Sequence, residues 1–136
     1  MDLLIGRAEA LGLRVVFCDL GKFHGQVHSS GVVYVNHGRT DLRQRVTLAH
    51  EMGHWHHGHD WSRDHNVAHD ERQADQYAAR LLIGADAYAV AEDLCGTHPG
   101  ALARELGVTR RLVELRREDF AREVLIFAVV DEWCTA

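Results

Sequence analysis

Hydrophobic and polar positions divide the chain into a mixed N-terminal part and a helical remainder. Leu3, Leu4, Ala8 and Leu11 recur at helical spacing and Gly12 closes the run, so residues 2–11 read as a helix. LRVVFCDL (13–20) is rich in β-branched and aromatic residues and reads as a strand, with Gly21 and Gly25 punctuating the turn after it. GQVHSSGVVYVN reads as a strand, a Ser-Gly turn and a second strand at 32–35. These pieces predict a small antiparallel sheet. From Asp41 the period changes. Asp41 is the expected N-cap, with Gln44 as its capping-box partner. Leu42, Val46, Ala49 and Met52/Gly53 fall near one stripe, and Gly58 is the expected stop. Residues 59–69 are polar and aperiodic, a loop. Asp70 is the expected cap of a second helix, ERQADQYAARLL, with Ala74, Tyr77, Ala78, Leu81 and Leu82 on one face. Pro99 sits where a helix can begin, and ALARELG and TRRLVELRRE read as two short helices around Gly107. Periodicity leaves helix and strand both open for FAREVLIFAVVDEWC. The fold class is α+β: a small N-terminal antiparallel sheet packed on a helical core.

The length of 136 residues fits one domain, 1–136, with the C-terminal helices (about 98–136) packed on the rest. The formal net charge of −5 gives no electrostatic case for nucleic acid or an anionic membrane. Three widely spaced cysteines, Cys18, Cys95 and Cys134, with no CxxC, point to a reducing compartment. Without a signal-peptide pattern or a membrane-length apolar run, the expected location is the cytoplasm.

The chemistry lies in LAHEMGHWHHGHD (48–60). His50, Glu51 and His54 form H-E-x-x-H. On a helix the two histidines share a face, about 5–6 Å apart at Cβ, and can grip one tetrahedral metal ion. Glu51 beside them is the expected general base. The chain carries 11 histidines, so context must support the motif. A third ligand is needed, with one position left open. The extended frame H-E-x-x-H-x-x-G-x-x-H finds His57 and Asp60 where Gly and His are required, and fails. DERQAD (70–75) supplies the other solution. Glu71 is the expected third ligand, and Asp75, one turn later, the acceptor for the free ring N–H of His50 or His54. One Zn²⁺ per chain is expected, although two histidines and a carboxylate also suit other divalent ions. His56, His57 and His59 read as ordinary residues at a helix end. Tyr77, His65 and His69 are oxyanion-partner candidates by type alone. The strand Val32, Val33, Tyr34, Val35 and Asn36 is a candidate for pairing with an extended substrate.

NHGRTDLRQRVTLAHEMGHWHHGH followed by DERQADQYAARLLIGADAY resembles the ImmA/IrrE family of bacterial and phage metallopeptidases. The resemblance runs from about Val32 to Leu82, and more weakly into ALARELGVTRRLVELR. It departs at Gly84, where the family usually has Met-Pro nearby; a changed helix end is the expected consequence. The resemblance implies a zincin-like core and a zinc peptidase. It also implies a substrate: a partner helix-turn-helix repressor, or an antitoxin-like protein, whose cleavage induces prophage, mobile-element or stress genes. Two other readings compete. ALARELGVTRRLVELRR has the outline of a DNA-binding helix-turn-helix, with six Arg against four acids between residues 100 and 122, short of a typical basic footprint. A structural metal site in a partner-sequestering protein is the other, and it leaves Glu51 without a task.

Overall fold

The computed structural model describes residues 1–59 and 67–135. In chain order these form α1 (Asp2–Ala10), β1 (Arg14–Cys18), β2 (Gly25–Val27), β3 (Val32–Asn36), α2 (Asp41–His56), α3 (Val67–Leu82), α4 (Ala85–Cys95), α5 (Pro99–Leu106) and α6 (Arg110–Thr135). The fold is α+β, but the sheet is mixed, not antiparallel. Its order is β1-β3-β2, with β3 antiparallel to β2 and parallel to β1. The reason is placement. The chain reverses between β1 and β2 and again in the tight turn from His28 to Gly31, so β1 and β3 run the same way. Lying between two neighbours leaves Val33 and Val35 with no exposed surface.

That topology corrects one functional expectation. Val32, Val33, Tyr34, Val35 and Asn36 cannot accept a substrate strand, because both edges of β3 are already paired. Asn36 has a structural task instead. Its Nδ2 donates to the carbonyls of Gly21 and Phe23 (3.0 and 2.7 Å), and its Oδ1 accepts from Gly38 N–H. The edges of the sheet belong to β1 and β2, and of these β2 packs against α2.

Helix boundaries differ from expectation in three places. The N-cap of α2 is Thr40, whose hydroxyl accepts from Arg43 N–H, and Asp41 is the first helical residue. Gln44 reaches back to the carbonyls of Arg39 and His37, not to a cap N–H. Asp70 is not a cap either, since α3 begins at Val67 and Asp70 lies buried within its first turn. No element was expected between Leu82 and Pro99, yet α4 fills that stretch. Its apolar residues run almost without interruption from Ala85 to Ala91, so no stripe marks it in the sequence, although only Tyr88 and Ala91 are buried. Gly84 is its N-cap. The tail is helical and continuous with the preceding segment, forming α6.

The core runs from Leu4, Ala8 and Leu13 through Val33 and Val35 to Leu48, Met52, Ala78 and Ile83, and on to Leu102, Leu112 and Leu115. Two contacts within this framework position the centre. At the first, α2 and α3 touch backbone to backbone. A Cβ on Gly53 would lie 2.8 Å from Ala74 Cα and 2.9 Å from Ala74 O, well inside the roughly 3.5–4.0 Å of carbon contact. At the second, β2 lies on α2. A Cβ on Gly25 would meet Thr47 Cγ2 at 2.4 Å and Tyr34 O at 2.9 Å. Behind these, Arg80 of α3 holds Asp119 of α6 with two hydrogen bonds of 2.8 Å. Asp119 is 2% exposed. Burial alone would push its carboxyl up, but the hydrogen bonds and charge of Arg80, with Arg116 and Arg122, outweigh that and hold it below the usual carboxylate range.

Two predictions follow from this framework. Gly53→Ala is expected to lower stability by about 1–3 kcal/mol through overpacking against backbone that cannot yield, despite the roughly 1 kcal/mol by which alanine favours a helix over glycine. A thermal midpoint at or above wild type would show that the helices do not meet there. The lowered carboxyl of Asp119 contributes stability above its unfolded value, near 4, that is lost as pH falls through the folded value. Asp119→Asn is therefore expected to cost about 1–2 kcal/mol at neutral pH, the exposed Arg80 end being screened, with the gap to wild type closing in acid. Urea unfolding at pH 7 and pH 3 measures both; an equal gap at the two would assign the effect to packing.

Candidate metal centre

The local sequence makes α2 a firm platform. Thr40 and Gln44 anchor its start, while Val46, Leu48, Ala49 and Met52 bury it in the core. One turn apart on its cleft side lie His50 and His54, the latter 2% exposed. On α3, Glu71 and Asp75 are likewise one turn apart, and the Gly53–Ala74 contact sets their distance from the histidines.

Three donor groups converge. His50 Nε2 and His54 Nε2 are 3.1 Å apart. Glu71 places Oε2 3.1 Å from the first and Oε1 3.1 Å from the second. Ligand atoms around a tetrahedral zinc, each about 2.0–2.1 Å from the ion, stand roughly 3.3 Å apart. Each histidine nitrogen faces a different oxygen of the carboxylate at a spacing close to that one, and His50, His54 and Glu71 together could hold a metal ion. Proton bookkeeping agrees. Asp75 Oδ1 lies 2.8 Å from His50 Nδ1 and takes its N–H, leaving a lone pair on Nε2. Two ring nitrogens and a carboxylate at 3.1 Å repel one another unless a proton or a cation lies among them.

The surroundings tune each group. Burial lowers the His50 imidazole, but the hydrogen bond to Asp75 and the charges of Glu51, Asp75 and Glu71 outweigh it and raise it overall. For His54, burial and the neighbouring rings of His50 and His59 bring the value down to about 4, so it is neutral at ordinary pH. Glu51 stands outside the triangle. Burial and the charge of Glu71 push its carboxyl up against the opposing pull of His50 and a hydrogen bond from Val27 N–H. An open cleft of about 310 Å³ is lined by His50, Glu51, Glu71 and Asp75, together with His24, Gly25, Arg43 and Thr47. A larger hollow of about 590 Å³ beside Phe17, Leu42 and Arg45 contains none of them.

The structure thus brings together His50, Glu51, His54, Glu71 and Asp75. Of the oxyanion candidates, it brings in neither Tyr77 nor His69. Tyr77 packs on His56 with ring centroids 5.0 Å apart, His69 is exposed on the first turn of α3, and His65 lies outside the described residues. Two participants escaped the sequence reading. His24 lines the cleft, and nothing in its local sequence marks it. His59, read as a helix-end residue, is 7% exposed on its side chain and lies 2.8 Å from His54, Nδ1 to Nδ1. Its signal was the five-residue step from His54 at the end of a helix, which a search for a third ligand passes over.

Comparison with known proteins agrees with this geometry. No curated protein matches the chain. The family model Peptidase_M78, described as the IrrE N-terminal-like domain, matches residues 8–118, a span that takes in α2, α3 and every residue of the centre. By that match and by the donor set it encloses, the chain belongs to the IrrE N-terminal-like domain family of metallopeptidase-like proteins.

Proposed function

We propose that the protein is a zinc-dependent endopeptidase that cuts a partner helix-turn-helix repressor. The observation that carries the chemistry is the position of Glu51: next to a three-donor triangle, outside it, and facing an open cleft. A purely structural metal site has four protein ligands and no use for a carboxylate so placed. His50, His54 and Glu71 would hold the ion. A zinc ion, when bound, supplies Lewis acidity toward the substrate carbonyl and makes a water molecule acidic enough to react near neutrality.

Glu51 does the proton work. Burial raises its carboxyl above the usual carboxylate range, which favours a group that must gain and then return a proton. It takes a proton as the water oxygen bonds to the scissile carbonyl carbon. It returns that proton to the amide nitrogen as the C–N bond breaks. Asp75 keeps the His50 ring in one tautomer, and Arg111, with Nε 3.6 Å from Asp75 Oδ2, steadies Asp75 in turn.

Substrate registers on β2, not β3. His24 and His28 bond to β3 through their backbones, so the intervening Gly25 and Val27 turn theirs outward. An extended segment pairing along this edge would pass beside Glu51. The repressor as substrate class comes from the family resemblance. The DNA-binding alternative finds little support, because arginines of the α5–α6 region are engaged within the chain. Arg110 pairs with Glu114 and Arg111 with Asp75; Arg116 donates to Ile83 O, and Arg117 to Tyr88 Oη and Thr97 O.

Metal analysis of purified protein is expected to find about one zinc per chain, lost or much weakened in Glu71→Ala. Wild type without metal after zinc supplementation would refute the metallopeptidase reading. Incubation with a helix-turn-helix repressor from the same genome, followed by mass spectrometry, is expected to reveal one cut. Glu51→Gln should keep the zinc and slow that cut by at least about 10²-fold; undiminished cleavage would remove Glu51 from the base role.

A further inference from the structure

The two histidines of the triangle are supported differently. Behind His50 stands a carboxylate, Asp75. Behind His54 stands another histidine. His59 follows the end of α2, where its backbone N–H donates to His54 O at 3.1 Å and turns the chain back across the helix end. Its ring is almost fully buried and uses both nitrogens. Nδ1 is 2.8 Å from His54 Nδ1, while Nε2 is 2.9 Å from Gln73 Oε1 and 3.4 Å from Asp70 Oδ1. Asp70 is itself buried.

These contacts determine the order of the protons. The acceptors on α3 are oxygens, and a carboxylate can only accept, so Nε2 of His59 must carry hydrogen. In a neutral ring Nδ1 then holds a lone pair. The atom facing it, His54 Nδ1, must donate. His54 therefore presents a bare Nε2 to Glu71 and His50. Space-filling alone would leave one or both ring nitrogens of His59 without a partner at hydrogen-bond distance.

We infer that His59 is a positioning residue for His54, forming a relay from Gln73 and Asp70 through its own ring that sets the tautomer and orientation of His54 in the metal centre. This rests on the reading of His50, His54 and Glu71 as the ligand set. It makes the centre asymmetric: one histidine is backed by a carboxylate, the other by an imidazole. The relay also ties the end of α2 to the first turns of α3, so both helices that supply the donors are braced at this end.

The test is zinc affinity of the full chain by chelator competition, in wild type, His59→Leu and His59→Asn. His59→Leu keeps bulk and removes the acceptor. It is expected to weaken zinc by about 10–100-fold. His59→Asn loses bulk but keeps an oxygen near the place of Nδ1, and it should recover most of that loss. Affinity that follows bulk instead, with the leucine variant tight and the asparagine variant weak, overturns the relay. Wild type that binds no zinc overturns both the ligand set and the relay, whereas wild type and His59→Leu binding zinc equally overturn the relay alone. A second measurement needs no variant. Long-range ¹H–¹⁵N spectra of zinc-loaded wild type should show hydrogen on His54 Nδ1 and His59 Nε2. Hydrogen on His59 Nδ1 overturns the proposal, even should the leucine variant fail to fold.

Discussion

Two helix backbones meet at Gly53 and Ala74, and the rest of the centre depends on that contact. A Cβ there would sit 2.8 Å from the neighbouring backbone, so the helices are as close as their main chains allow. Glutamate is a short lever. Its carboxylate reaches both histidine rings at 3.1 Å only because α3 approaches without an intervening side chain. The glycine inside H-E-x-G-H therefore has a physical reason that concerns packing, not backbone conformation. It weakens α2 locally as a helix, and the surrounding burial of Leu48, Ala49 and Met52 offsets that weakness.

Proximity alone would not give a usable donor set. Imidazole has two nitrogens, and a ring free to exchange protons presents a bare Nε2 only part of the time. Each ring here has its Nδ1 engaged at 2.8 Å. The partners come from α3, or from a residue braced by α3. The same helix thus supplies the third donor and the support for the other two. Its register has to be right for Glu71, Asp75, Asp70 and Gln73 at once. The pairing of Arg80 with the buried Asp119 further along α3 acts at a distance from this group, holding the helix against α6.

What the sequence made legible was whatever depends on spacing within one element. His50 and His54 share a face by helical period, as do Glu71 and Asp75, and both pairs were readable before any fold was known. Helices with a clear stripe were equally plain. Pairing between distant segments was not. The order β1-β3-β2 depends on which strand gains most by being central, and alternation of side chains carries no record of that. Asp41 and Asp70 looked like caps because Asp caps helices often; Thr40 had a hydroxyl one residue earlier, and Asp70 had a buried partner in His59. His59 illustrates the limit most directly. Its role arises where a chain turn after α2 meets α3, and no periodicity within either helix records it.

The sheet topology has a functional consequence that periodicity also hides. Had the strands formed a simple meander, β3 would have been an edge. In the observed order the three-residue β2 is the edge nearest the centre, with Gly25 tight against Thr47 and close to Glu51. A longer side chain at position 25 would lift this edge from α2 and away from Glu51. The short strand therefore couples two tasks. It presents a backbone edge to the cleft, and it packs beside Glu51, which stands outside the triangle. A carboxylate inside the triangle would become a fourth ligand and close the centre; standing outside it, Glu51 leaves that position open.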